Sequence, residues 1–173
     1  MSLQRLKHLD HLWTERLSIA ERPGPMRWIA VVLAHSGDSW FWLAGLGIMA
    51  WTSDGVWRVW AIGLAAAILV TAIVVMGLKF TIRRRRPEGP WGGVYRRTDP
   101  HSFPSGHAAR AILIAVIVLL WGPTWLGPII VVWAPLVLLA RVAMGVHYLS
   151  DVIAGAALGL SFGLAAGLLY TPL

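Results

Sequence analysis

Between residues 79 and 151 the chain places Lys79, Arg86, Ser105, Gly106, His107, Arg141, His147 and Asp151 on or beside apolar stretches. An ionisable side chain at membrane depth is tolerated where it faces a polar cavity or a partner, so each marks a candidate functional site. The chemistry they suit is that of an oxyanion. Lysine and arginine supply fixed positive charge, and the arginine fork matches phosphate oxygens. Ser105 adds a hydroxyl and Gly106 lets the backbone approach closely. A helix beginning near His107 would turn its free N–H groups and positive dipole end to the same place. His147 and Asp151 lie four residues apart. On a helix they share a face, so the carboxylate accepts a hydrogen bond from one ring nitrogen and leaves the other as base or nucleophile. A His/Asp pair at this spacing also suits a purely structural ion pair.

These residues need a membrane scaffold to position them. The chain has 173 residues, 57% of them hydrophobic and 13% charged, with a mean hydropathy of +0.66. That balance belongs to an integral membrane protein. With no cysteine, disulfides and thiolate metal sites are excluded. Charges and prolines interrupt the N-terminal apolar pattern, so no cleaved signal peptide is expected. Leu3, Leu6, Leu9, Leu12, Trp13 and Leu17 recur at helical spacing among charged residues, predicting an amphipathic interfacial helix within residues 1–27 that Pro23 and Pro25 terminate. "HSGDS", residues 35–39, breaks the next apolar stretch, which reads as a short interfacial piece followed by a span from about Trp40. Further spans are expected at about 59–80, 108–121, 125–146 and 148–170. The fold class is therefore all-α, a polytopic membrane helix bundle of about five transmembrane helices plus the interfacial helix, in one domain over residues 1–173. Gly155, Gly159, Gly163 and Gly167 recur every four residues, a stripe for close helix packing.

Two crossings separate the polar connection at 81–107 from the turn near 145–147, so both lie at one membrane face, shared with the N-terminal segment. The formal net charge is +7. That face carries Arg5, Lys7, Arg16, Arg22, Arg27, Arg83, Arg84, Arg85, Arg96 and Arg97, against Arg58 alone on the other. The positive-inside rule then predicts a cytoplasmic active site. The arginines at 83–85 read as a patch for anionic lipid head groups, and no nucleic-acid partner is implied.

Three groups of residues resemble the signature motifs of the type 2 phosphatidic acid phosphatase superfamily: Lys79 with Arg86-Pro87; Pro104-Ser105-Gly106-His107; and Arg141, His147 and Asp151. One departure is Ala140, where the family usually has serine. The resemblance implies an integral lipid phosphate phosphatase of a bacterial or archaeal cell membrane, with no metal and no cofactor, working through a phosphohistidine. His147 would attack phosphorus, Asp151 would orient it, and His107 would protonate the leaving oxygen. Lys79, Arg86, Ser105, Gly106 and Arg141 would hold the phosphoryl oxygens. The implied substrates are phosphatidate, phosphatidylglycerol phosphate, polyprenyl diphosphates or lipid A. A non-catalytic lipid-phosphate binder or transporter using the same basic cluster is the alternative, ahead of haloperoxidase chemistry or an ion channel.

Overall fold

The structure, a computed structural model, describes residues 3–19, 24–88 and 99–169. Seven helices are found among the described residues: α1 (Leu3–Leu17), α2 (Pro25–Ser36), α3 (Ser39–Thr52), α4 (Gly55–Ile82), α5 (Gly106–Trp121), α6 (Leu126–Ala143) and α7 (Leu149–Leu169). By length and apolar composition α4, α6 and α7 can each cross a membrane, and α2 with α3, bent by 50° at residues 37–38, pass the same test as a pair. α5 is apolar but only 16 residues long. Those helices provide for about five crossings, and the chain is an integral membrane protein.

α5 is the central element. Ala108, Ala109, Ala111, Leu113 and Ile114 on it are fully buried, and the last three share one core cluster with Leu64 and Ile68 of α4 and Val137 of α6. On the outer faces Val59, Ile62 and Ile73 of α4, Val132 and Leu139 of α6, and Leu160 and Leu168 of α7 are exposed. Those surfaces suit acyl chains, so the bundle is held by interlocking contact rather than by expulsion of water. The contact is tightest between α5 and α7. A Cβ at Gly155 would stand 2.3 Å from the Ser105 carbonyl oxygen, and one at Gly159 would stand 2.1 Å from that of Ala109.

α1 is amphipathic in an inverted sense. Leu9, Trp13 and Leu17, one helical stripe, are exposed, whereas Asp10 and Thr14 face the protein. Asp10 accepts from the Ser150 backbone N–H at 2.9 Å and the Ser150 hydroxyl at 2.6 Å, and Thr14 Oγ1 accepts from Leu149 N–H at 3.1 Å. The helix thus turns its apolar stripe outward and ties its polar stripe to the start of α7. Pro25 does not end α1 but occupies the first turn of α2, where a missing N–H is harmless. Pro23, Arg22, Arg96 and Arg97 lie outside the described residues.

Candidate active site

Four chain segments converge at one end of the bundle. The last turn of α4 delivers Lys79, and the helix closes on Arg83 in the left-handed conformation, φ 54°, its N–H bonded to the Lys79 carbonyl at 2.9 Å. The chain then doubles back and buries Arg86. At the entrance of α5, Ser105 caps the helix by accepting from Ala108 N–H, and Gly106 and His107 form the first turn. The end of α6 supplies Arg141, wholly buried, and the turn at 144–148, opened by Gly145 at φ 62°, supplies His147. The Ser105 N–H donates to the Asp151 carbonyl at 2.9 Å, a direct backbone link between the entrance of α5 and the first turn of α7.

Lys79, Asp99, Gly106, His107, Arg110, Arg141 and His147 line a cavity of about 280 Å³, whose apolar wall includes Ile68, Val75 and Met76 of α4. The volume lies just below the roughly 300–1,000 Å³ of small-molecule sites, enough for a head group and not for a whole lipid. The Arg86 guanidinium ties its parts together. Nη2 donates to the Asp99 carboxylate at 2.8 Å, and Nη1 donates both to the Val146 carbonyl at 2.8 Å and to His147 Nε2 at 3.1 Å. Lys79 donates to the same Asp99 carboxylate and to the His101 carbonyl at 3.0 Å. Burial, reinforced by the positive charges of Arg141, Arg86 and Lys79, holds the His147 pKa well below its ordinary value. The Arg86 guanidinium can only donate, so the Nε2 lone pair is turned toward it.

Some expectations need correction. α6 ends at Ala143 rather than near Val146, so His147 stands on a turn and shares no helical face with Asp151. His147 Nδ1 lies 3.6 Å from Asp151 Oδ2, ion-pair distance and beyond a hydrogen bond. The carboxylate is committed elsewhere, accepting from the Tyr148 N–H at 2.9 Å and from Arg84 Nη1 at 2.7 Å. Arg84 is accordingly no simple part of a lipid-facing patch. It joins Asp151 to Asp10 of α1, which accepts from Nη2 at 2.7 Å, and it stacks over the Tyr148 ring at 4.0 Å. Ser105 and Asp151, both fully buried, stand behind the cavity wall. Ala140 packs with Ala30 and Ala34 of α2 and with Met144, so that position is taken up by apolar contact.

Four charged residues at the site were not read as part of it. Asp38 binds His107 Nε2 at 2.6 Å, Arg110 and Asp99 line the cavity, and Arg84 braces Asp151. Asp38 and Arg110 did carry a signal, each being a charge inside an apolar stretch. The two exchangeable-looking arginines make a sharp comparison. Arg84→Met is expected to lower stability by about 1–3 kcal/mol, since it leaves a buried carboxylate short of a charged donor, and to reduce turnover. Arg85→Met, at an exposed position, should leave both near the parent values in thermal unfolding and phosphate-release assays in detergent.

The arrangement has known counterparts. The model of the PAP2 superfamily matches residues 60–171. This chain belongs to the PAP2 superfamily. Its sequence is 38% identical over 150 residues to the decaprenylphosphoryl-5-phosphoribose phosphatase of Mycobacterium tuberculosis, covering 84% of this chain and 81% of that one. It is 31% identical over 137 residues to the undecaprenyl-diphosphatase of Sulfolobus acidocaldarius, covering 76% and 64%. Among solved structures, the transmembrane PAP2-type phosphatidylglycerolphosphate phosphatase of Bacillus subtilis superposes with a TM-score of 0.76 at 23% identity, over 95% of this chain and 86% of that one. The last likeness establishes the PAP2 fold. Membership makes the chain an integral membrane phosphatase, a phosphoric ester hydrolase. The PAP2 match includes Lys79, Arg86, His107, Arg141, His147 and Asp151 and begins beyond α1, α2 and α3.

Proposed function

We propose that this PAP2 phosphatase removes a phosphate from a polyprenyl-type membrane lipid, without a metal, through a phosphohistidine on His147. One observation carries the mechanism: a single guanidinium, Arg86, holds an oxyanion with one arm and His147 Nε2 with the other. The oxyanion is the Asp99 carboxylate. A phosphoryl group exchanged for that carboxylate would lie beside the nitrogen lone pair, with Lys79 and Arg141 on its other sides. Nε2 then forms the N–P bond as the bond to the leaving oxygen breaks, and His107 donates the proton that oxygen needs. Water attacks the phosphohistidine in the second half-reaction, His107 takes up its proton, and inorganic phosphate leaves. Lys79, Arg86 and Arg141 neutralise the charge that develops on the phosphoryl oxygens. The names of the relatives favour a polyprenyl tail. The test is phosphate release from a panel of polyprenyl, glycerolipid and lipid A phosphates with chelator present. Activity that chelator abolishes would refute the metal-free route.

Because Asp99 occupies the place assigned to phosphate, its removal should be measurable as tighter anion binding. Asp99→Asn keeps acceptors for Lys79 and Arg86 but removes the competing charge, and inhibition by orthovanadate should tighten about five- to tenfold, the worth of a partly exposed ion pair. An unchanged or weaker inhibition constant would separate the Asp99 site from the phosphate site.

We place the active site on the cytoplasmic face. The support is the charge asymmetry: Arg5, Lys7, Arg16, Arg27, Arg83, Arg84 and Arg85 sit on the segments at that end, against Arg58 at the other. A periplasm-dependent reporter enzyme fused after Leu173 should be active in cells. A silent reporter in an expressed fusion would reverse the orientation.

A further inference from the structure

The 50° break between α2 and α3 is built, not merely tolerated. Irregular backbone inside an apolar bundle must have its carbonyls bonded, and here they are: Trp42 Nε1 donates to the Ser36 carbonyl at 2.9 Å, and the buried Arg110 donates from Nε to the Gly37 carbonyl at 2.7 Å. Arg110 also donates to the Ser39 hydroxyl. Gly37 is needed for closeness, since a Cβ there would stand 3.0 Å from Val137 Cγ1 and 3.4 Å from His107 Cδ2. What this construction presents to His107, which lines the cavity, is a single carboxylate, Asp38, whose Oδ1 lies 2.6 Å from His107 Nε2. Its other oxygen meets His35 Nδ1 at 3.2 Å and Trp40 Nε1 at 3.3 Å.

We propose that Asp38 is a positioning residue that holds His107 in the orientation and tautomer required of the general acid. The proposal rests on the phosphatase reading above, in which His107 protonates the leaving oxygen. The Nε2 and Cδ2 edge of the ring faces the break, so the Nδ1 edge is turned away from it and is the one available to the substrate. A carboxylate accepting from one ring nitrogen fixes the tautomer, raises the basicity of the other nitrogen, and stabilises the imidazolium that forms when His107 takes a proton from water. The contact is closer than that between His147 and Asp151, 2.6 Å against 3.6 Å. The hydrogen-bonded carboxylate–histidine pair of the site thus belongs to the proton carrier, and its carboxylate is supplied by a part of the chain outside the family match.

The test separates proton donation from structural support by varying the leaving group. In the purified full-length protein, kcat/KM reports only the steps through phosphohistidine formation. For a lipid alkyl phosphate, whose leaving oxygen needs a proton, Asp38→Asn should lower kcat/KM by between about tenfold and a hundredfold, a part of the 10²–10⁴ that general acids contribute. For p-nitrophenyl phosphate, whose leaving group departs as a stable anion, the change should be under about threefold, and inhibition by orthovanadate should stay near that of the parent. Asp38→Glu should recover part of the lipid activity. His107→Gln should show the same selectivity more strongly. Equal losses on both substrates for Asp38→Asn, or no loss on either, while His107→Gln remains selective, would overturn the role of Asp38 and leave the phosphatase reading intact. Absence of selectivity in His107→Gln would overturn the acid role itself, and the proposal with it. If Asp38→Asn does not purify folded, Asp38→Ser carries the same comparison.

Discussion

Replacing His147 by alanine is expected to reduce phosphate release by at least about four orders of magnitude, the scale on which removing a covalent nucleophile acts. The fold should survive. His147 is buried on a turn rather than inside a helix, and its ring is hydrogen-bonded to Arg86, which also donates to the Val146 and Asp99 carbonyls and to the Asp99 carboxylate. The truncation thus leaves no charged group stranded. Binding should survive as well, because Lys79, Arg86 and Arg141 remain to hold an oxyanion. The expected signature is a protein that unfolds near the parental temperature, retains a lipid phosphate in equilibrium binding, and neither releases phosphate nor accumulates a base-stable, acid-labile phosphoryl adduct when mixed with labelled substrate. Retained turnover would remove the phosphohistidine from the mechanism. A loss of binding in proportion to the loss of rate would point instead to a role in holding the anion.

The positions of the cationic residues and histidines were legible because such residues are rare in apolar sequence, and those at Lys79, Arg86, His107, Arg141 and His147 are pinned by fixed spacing to helix ends. Two crossings between the 81–107 connection and the 145–147 turn were enough to put them at one face, and the structure brings Lys79, His107, Arg141 and His147 to a single small cavity with Arg86 bonded to His147 behind it. What escaped was pairing. Asp38 is 69 residues from His107, and Asp10 is 74 from Arg84. No periodicity within one helix reports which carboxylate of another helix will meet a given cation. Asp151 shows the reverse error. Its four-residue spacing from His147 suggested a shared helical face, but the chain leaves α6 through Gly145 in the left-handed conformation and α7 starts only at Leu149, so the spacing spans a turn instead. The hydrophobic stripe of α1 was likewise visible, while the partner of its polar stripe was not. Its contacts with Leu149 and Ser150 are tertiary and carry no local signature.

The glycine stripe of α7 provides the largest expected effect on assembly, and its four positions are not equivalent. Helices in a bilayer associate through close contact between backbones, so small residues set how near they come. A methyl at Gly159 would lie 2.1 Å from the Ala109 carbonyl oxygen and 2.9 Å from its carbon, and one at Gly155 would lie 2.3 Å from the Ser105 carbonyl oxygen. Both obstacles are main chain in a helix that is itself packed on α4 and α6. Relief therefore requires moving α5 by most of an ångström. At Gly167 the nearest atom is Leu120 Cδ1 at 2.4 Å, the tip of a side chain that can rotate away, and at Gly77 of α4 nothing lies within 4 Å. Gly159→Ala is thus expected to destabilise the protein by at least the roughly 3 kcal/mol that marks the upper end of ordinary overpacking. Gly77→Ala should fall within about 0.5 kcal/mol of the parent, as surface changes do, and Gly167→Ala should lie between. Gly155→Ala has a second consequence, because Ser105 both caps α5 and donates its N–H to the Asp151 carbonyl at 2.9 Å. Pushing Ser105 off α7 separates the turn that carries His107 from the segment that carries His147, so this variant should lose turnover out of proportion to its loss of thermal stability. Thermal unfolding in detergent and phosphate release measured well below the unfolding temperature distinguish the two effects. Equal behaviour of Gly155→Ala and Gly167→Ala in both assays would mean that the spacing of α5 and α7 does not set the geometry of the site.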